Sequence, residues 1–354
     1  MAKTLYVTST QNFSGKSALC IGLFRHFQAM GLKMGYMKPF SATAKVVDGY
    51  LVDEDTVFLK NTFGIQDPLN MMSPVILSIP LLQDALKKVE NPQSSVLKTF
   101  DTLCRDKDVM VVEGGANLRE GWVFNLSPCQ VAPLFDSRVL VVTPFDSELQ
   151  CVDDLITARV RFGDRLLGVV INRVPKHRVA WVNDFVMPFF ENEGLAVLAV
   201  LPKEKTLLSI SVRDLVNGLG GEVLCARDKQ EELVENLLVG AMSVDNALKY
   251  FRRKPNKAII TGGDRPDIQL AALETSTKCI ILTGNIRPSP LILGKAEDAG
   301  VPIILTQHDT MTAVEIIEGF FGKTRFHQQQ KIQRFEALMQ EHMDFKRLNA
   351  LMQI

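Results

Sequence analysis

Short runs rich in β-branched residues, apolar on both faces, alternate along this chain with longer segments of helical periodicity, and that alternation leaves few folds open. In the first half the runs are Thr4–Thr8, Lys33–Met37, Val109–Glu113, Val139–Thr143, Leu167–Asn172 and Ala196–Leu201. A strand without a polar face has to be covered on both sides, so the pattern implies a parallel sheet between two helical layers, a three-layer α/β domain. At 354 residues the chain exceeds the usual span of one hydrophobic core, which calls for a seam.

A second series follows Pro202: a helix over Val212–Leu219, then strands at Glu222–Cys225, Ala258–Thr261, Cys279–Leu282 and Ile303–Leu305. The polar stretch Lys203–Thr206 reads as the linker between the two series. After Phe321, the residues Ile332, Phe335, Leu338, Met339, His342, Phe345 and Leu348 recur at three- and four-residue spacing, which predicts an amphipathic C-terminal helix. It either packs on its own domain or supplies a dimer contact. The expected division is 1–204, 205–322 and 323–354.

Composition narrows the function classes. With 46% hydrophobic and 23% charged residues and a formal net charge of zero, the chain is globular and carries no global pull toward nucleic acid or anionic membrane. Its six cysteines include no C-x-x-C pair, so neither a zinc ribbon nor a disulfide framework is implied. The N-terminus runs directly into the strand at Leu5–Val7 and no apolar stretch is long enough to span a bilayer, so a soluble, cytoplasmic protein is expected.

The segment Ser9-Thr10-Gln11-Asn12-Phe13-Ser14-Gly15-Lys16-Ser17 lies between a strand and a helix. This is the setting of a Walker A loop: Gly15 admits backbone amides to phosphate oxygens, Lys16 supplies charge for the β- and γ-phosphates, and the Ser17 hydroxyl can ligate Mg²⁺. The leading glycine of the motif is absent, Thr10 standing in its place. Val109–Glu113 ends in an acid before Gly114-Gly115, and an acid at the carboxyl end of a central strand can organise a metal. Asp53-Glu54-Asp55 opens a helix, where acids either complement the helix dipole or act as partner or ligand of Mg²⁺.

The loop Thr10 to Ser17, the run Gly35-Tyr36-Met37-Lys38-Pro39, the strand end Val112-Glu113-Gly114-Gly115 and Gly168-Val169-Val170-Ile171-Asn172-Arg173 together resemble the dethiobiotin synthetase family over roughly the first 200 residues. The resemblance implies that Lys16 and Lys38 act on phosphates and a reacting carboxylate, that Asp55 and Glu113 hold Mg²⁺ with Ser17, and that Asn172 reads the base. Thr10, Asn12, Ser14 and Gly15 complete the nucleotide cradle. Residues from Ser211-Val212-Arg213-Asp214-Leu215 through Phe320 resemble the DRTGG domain, with Ile260-Thr261-Gly262-Gly263-Asp264-Arg265-Pro266-Asp267 as its namesake turn. Gly262-Gly263 reads as a tight connection or an anion nest with Arg265 as clamp. The pairing is similar to the N-terminal regulatory portion of long bacterial phosphotransacetylases. The implied fold is a P-loop NTPase-type parallel sheet, a smaller DRTGG-like α/β domain and a C-terminal helix.

The expected function is a regulatory protein that binds ATP and Mg²⁺, with slow hydrolysis, the DRTGG-like domain giving oligomer contacts or a second ligand site. The alternative is an ATP-dependent carboxylate-activating enzyme of the dethiobiotin or cobyrinate amide-ligase type, working through an acyl or carbamoyl phosphate. A third reading is a scaffold with a decayed loop. Expected partners are nucleotide, a small carboxylate or acyl-phosphate metabolite and further copies of the chain, with no nucleic acid and no membrane. No nucleophile elbow follows Lys205, which argues against ammonia transfer from glutamine, and the residues left after Phe320 are too few for an acetyltransferase domain.

Overall fold

The computed structural model describes residues 2–43, 45–47, 50–88, 91–320, 326 and 328–354. The chain divides into two units, Met1–Lys203 together with Ile332–Ile354, and Glu204–Lys331. Among the described residues no helix is long and apolar enough to cross a membrane.

The first unit is built on β1 (Lys3–Ser9), β2 (Met34–Met37), β3 (Val109–Glu113), β4 (Arg138–Pro144), β5 (Leu166–Val174) and β6 (Val197–Pro202). They pair in parallel in the order β6-β5-β4-β1-β3-β2. Successive side chains point to opposite faces, and since Met110, Val111 and Val112 are all buried, both faces are covered. Right-handed crossovers decide which helix lies where. The step from β1 to β2 runs toward one edge and carries α1 (Lys16–Ala29); the connections among β2, β3, β4, β5 and β6 run the other way and place their helices on the opposite face.

After α2 (Glu54–Phe63), that opposite face is packed by α3 (Gln93–Leu103), α4 (Pro128–Leu134), α5 (Glu148–Phe162) and α6 (Met187–Asn192). Val96, Phe100, Val131, Phe135, Leu155, Phe162 and Phe190 share one core with Met110, Val112 and Val141. The Phe100 and Phe135 rings stack at 3.8 Å. A single crossover leaves the α1 face short of cover.

In the second unit α7 (Val212–Leu219) precedes an antiparallel edge strand β7 (Glu222–Cys225), after which strand and helix alternate: β8 (Asn236–Val239), α8 (Val244–Arg253), β9 (Lys257–Gly262), α9 (Pro266–Leu273), β10 (Thr277–Thr283), α10 (Pro290–Asp298), β11 (Ile303–Leu305) and α11 (Thr310–Phe320). The sheet order is β7-β11-β10-β9-β8. Phe251, Ile268, Ala272 and Ile292 pack one face, and Val212, Leu215, Ala313 and Ile317 the other. Strand β8 is missing from the expected series; it is a half-exposed edge whose Glu235 and Asn236 interrupt the apolar pattern.

The chain then returns to the first unit in α12 (Gln329–His342) and α13 (Phe345–Met352). Met339 lies against Gly22 of α1, the His26 and Phe345 rings stack at 4.0 Å, and the Arg347 guanidinium grips Glu191 at 2.6 and 2.5 Å. These helices make up the missing cover. The expectation of one C-terminal helix is corrected: the helix breaks at Met343–Asp344, where the Asp344 N–H donates to the Leu198 carbonyl at 2.9 Å and its carboxylate caps α13 by accepting from Arg347 N at 2.9 Å. Residues 321–325 and 327, on which the start of that expected helix falls, lie outside the described residues.

Two predictions follow from this packing. Leu338 is fully buried on α12, so Leu338→Ala should destabilise the first unit by about 2–5 kcal/mol; a helix serving only as a dimer contact would leave urea unfolding of the monomer unchanged. Lys331 is buried, with its ammonium donating to the Ser209 carbonyl at 2.7 Å, and burial pushes its pKa down to about 8 against a partial opposing pull from Asp214. Because the unfolded chain keeps its proton to the ordinary value of 10.5, this lysine adds stability as pH rises from about 8 toward 10.5. Lys331→Met should flatten that rise when unfolding midpoints at pH values spanning the window are compared with wild type.

Candidate functional site

The parallel register puts Val7 of β1 opposite Glu113 of β3, so the loop leaving β1 departs beside the acid that ends β3. Gly15 caps α1 with φ +93°, a left-handed conformation that glycine adopts without cost, and no side chain caps the helix. The first-turn amides of α1 are therefore open to an anion. Phe13, also left-handed at φ +56° and exposed, makes the other sharp bend. Thr10 needs no such conformation. Its N–H donates to the Val142 carbonyl at 3.1 Å and its hydroxyl pairs with that of Thr143 at 2.9 Å, so the position of the absent glycine is tied to β4.

The Lys16 ammonium reaches Glu113 Oε1 at 2.7 Å, and the same oxygen accepts from the Ser17 hydroxyl at 2.8 Å. The other oxygen, Oε2, accepts from the Tyr36 hydroxyl at 2.9 Å. Burial raises the Glu113 pKa, but Lys16 and Lys38 outweigh it, with Asp55 opposing them, and hold the carboxyl below its ordinary value. Lys38 sits between two acids, Asp53 Oδ2 at 2.7 Å and Asp55 Oδ2 at 3.0 Å. Burial would lower its pKa; Asp55, Glu113 and Asp53 more than reverse that, so the ammonium stays charged. Asp55 Oδ2 also accepts from Ser17 at 3.3 Å, which links the Lys38 pair to the Lys16–Glu113 pair.

The structure thus brings Lys16, Ser17, Lys38, Asp55 and Glu113 together. Other residues of the expected set are placed around them. Asn12 Oδ1 accepts from Asn117 Nδ2 at 2.8 Å, and the buried Ser14 hydroxyl has no hydrogen-bond partner among the described residues. Asn172 stands differently from what the resemblance implies for a base reader. Its amide donates to the Ser14 carbonyl at 2.8 Å and its Oδ1 accepts from Arg173 N at 2.8 Å, so both ends are engaged inside the protein. A Cβ on Gly15 would stand 2.5 Å from Asn172 Nδ2, and the side chain braces the loop from below. The glycine turn of the second unit is tied down too: Gln269 donates to the Gly262 and Gly263 carbonyls at 3.1 Å, while Arg265 grips Asp267 at 2.9 Å and donates to Met242 O at 3.1 Å.

Tyr36 escaped the sequence reading as a site residue, and within Asp53-Glu54-Asp55 that reading singled out Asp55 rather than Asp53. Asp53 looks like an ordinary helix N-cap, and it is one, accepting from Thr56 N at 2.8 Å. The signal for Tyr36 was chemical: a tyrosine buried in a central strand needs a partner for its hydroxyl.

The donor set fits Mg²⁺ and a polyphosphate. Among the described residues no group of three or more acid, cysteine or histidine side chains forms a complete cage. A site that takes Mg²⁺ through one or two carboxylates, with phosphates supplying further oxygens, needs only a partial set of protein ligands, and Ser17, Asp55 and Glu113 are a set of that kind. The orphaned Ser14 hydroxyl and the uncapped α1 amides are donors in search of acceptors.

Both parts of the chain are similar to known domains. The AAA domain profile matches residues 3–211 and the DRTGG domain profile residues 214–320. The phosphate acetyltransferase of Synechocystis sp. is 25% identical over 369 residues, covering 98% of this chain and 51% of the relative. The ATP-dependent dethiobiotin synthetase BioD of Methanocaldococcus jannaschii is 27% identical over 121 residues, covering 32% of this chain and 53% of that protein. The chain thus spans about half the length of the phosphate acetyltransferases it matches. Among solved structures, the CBS and DRTGG domains of the regulatory region of Clostridium perfringens pyrophosphatase, complexed with the activator diadenosine tetraphosphate, are 19% identical with a TM-score of 0.29, covering 41% of this chain and 70% of that one. With the AAA domain profile covering more than half of its length, the chain belongs to the AAA domain family and carries a DRTGG domain after its P-loop domain.

Proposed function

We propose that the chain is a Mg-ATP-binding regulatory protein of the phosphotransacetylase N-terminal type. One observation carries this reading: Lys16, Ser17, Lys38, Asp55 and Glu113 form a hydrogen-bonded cluster at the open end of α1. Lys16 holds the β- and γ-phosphates and exchanges its contact with Glu113 for theirs. Ser17, Asp55 and Glu113 hold Mg²⁺, which when bound supplies charge neutralisation on the phosphate oxygens. The Ser14 hydroxyl and the α1 amides complete the cradle, and Asn172 keeps Gly15 in its left-handed bend.

The charge balance supports binding over carboxylate activation. Two lysines face three carboxylates, Asp53, Asp55 and Glu113, so the cluster carries one net negative charge and invites a cation. The DRTGG domain then provides oligomer contacts or a second ligand site, and nucleotide occupancy shifts a domain or subunit arrangement.

Calorimetric titration should show ATP binding that requires Mg²⁺. Lys16→Ala should weaken it by about tenfold or more, the loss of a hydrogen bond between charged groups. Neither heat nor a rise in Tm with Mg-ATP would leave only the decayed-loop scaffold. In a panel of small carboxylates, ADP release should stay at its slow basal rate with every acid; release stimulated by one acid and abolished in Lys38→Ala would establish the carboxylate-activating reading instead.

A further inference from the structure

The two acids on Lys38 are not equivalent, and from that difference we infer that Asp53 is a positioning residue, holding Lys38 so that the site distinguishes a nucleoside triphosphate from a diphosphate. This deepens the Mg-ATP reading above and rests on it.

Asp53 is 1% exposed. Its Oδ1 accepts from Thr56 N at 2.8 Å and Thr56 Oγ1 at 2.9 Å; its Oδ2 accepts from Lys38 at 2.7 Å and Ser41 Oγ at 2.6 Å. A carboxylate offers about four lone-pair positions, and here four donors occupy them. Nothing remains for a metal. Asp55 is different: its side chain is 30% exposed, and the oxygen that meets Lys38 is the one that meets Ser17. A cation seated on Ser17 and Asp55 therefore competes with Lys38 for that oxygen.

One partner of Lys38 is thus permanent and the other exchangeable. When Asp55 turns to a metal, Asp53 still compensates the buried ammonium and keeps its stem in place. The N–H that faced Asp55 is released toward the same side, where the terminal phosphate of a triphosphate supplies an acceptor and a diphosphate does not. Without Asp53, the ammonium loses its anchor and swings toward the remaining carboxylates of Asp55 and Glu113. Ser41 and Thr56 hold Asp53 from two directions, so the anchor is itself fixed in aim.

Asp53→Asn isolates this role. Asparagine remains a good N-cap for α2, accepting from Thr56 N, while its amide nitrogen replaces the oxygen that faced Lys38. Affinities for ATP and ADP, each with and without Mg²⁺, are measured by titration calorimetry on the full chain. The expected result is a fall of about tenfold in the ATP-to-ADP affinity ratio, with ADP affinity and Mg²⁺ dependence kept. Lys38→Ala should give the same fall, and the double variant no further fall, since the two residues act as one unit. Asp55→Asn should instead remove the Mg²⁺ dependence for both nucleotides.

Equal weakening of ATP and ADP in Asp53→Asn would mean a merely structural role and overturn the inference. So would loss of Mg²⁺ dependence in that variant, which would make Asp53 a ligand. Asp53→Ser, with a capping oxygen and no charge, carries the same comparison if the asparagine variant fails to fold. No nucleotide binding by wild type removes the Mg-ATP reading itself, an outcome distinct from any seen only in the variants.

Discussion

The buried contact between Lys16 and Glu113 depends on one constraint, the parallel pairing of β1 with β3. In register, Val7 and Glu113 are partners, so the loop that leaves one strand and the acid that ends the other cannot be far apart. A shift by one residue would turn Glu113 to the other face of the sheet and leave an ammonium and a carboxylate buried singly, each at a cost of several kcal/mol. The apolar runs on both strands thus fix more than a core. They set the position of the charges from which the site is built.

Around that contact the polar groups form a connected network in which each brings another into place. Tyr36 holds one oxygen of Glu113 and turns the other toward Lys16 and Ser17. Cys20, buried on α1 beneath, has its thiol pushed well above the ordinary range by burial and by Glu113, with Lys16 and Lys38 opposing, and stays neutral. Such a network is stable only when satisfied throughout, and among the described residues the buried Ser14 hydroxyl, on the loop itself, has no hydrogen-bond partner.

Much of the fold was legible because strands buried on both faces announce themselves by composition: every apolar run of the first half is a strand of one sheet. Edge strand β8 was not, since half-exposed edges need no continuous apolar run. Lys16, Ser17 and Glu113 could be named from the G-K-S tripeptide and a strand end, and Lys38 and Asp55 from the resemblance, but their mutual pairing could not. Asp53 illustrates why. In sequence it is one of three acids at a helix start, and only the fold brings Lys38 to its second oxygen. Asn172, for which the resemblance implies a base contact, donates its amide to a backbone carbonyl 158 residues away, a pairing that only the fold reveals. The break at Met343–Asp344 depends on Leu198 in the same way.

The return of Ile332–Ile354 to the first unit makes the second unit an insertion, joined to its host by two covalent connections. A single peptide-bond cleavage inside the insert does not separate the molecule, because the downstream fragment stays docked on the sheet through Arg347, Phe345 and the backbone bond to Leu198.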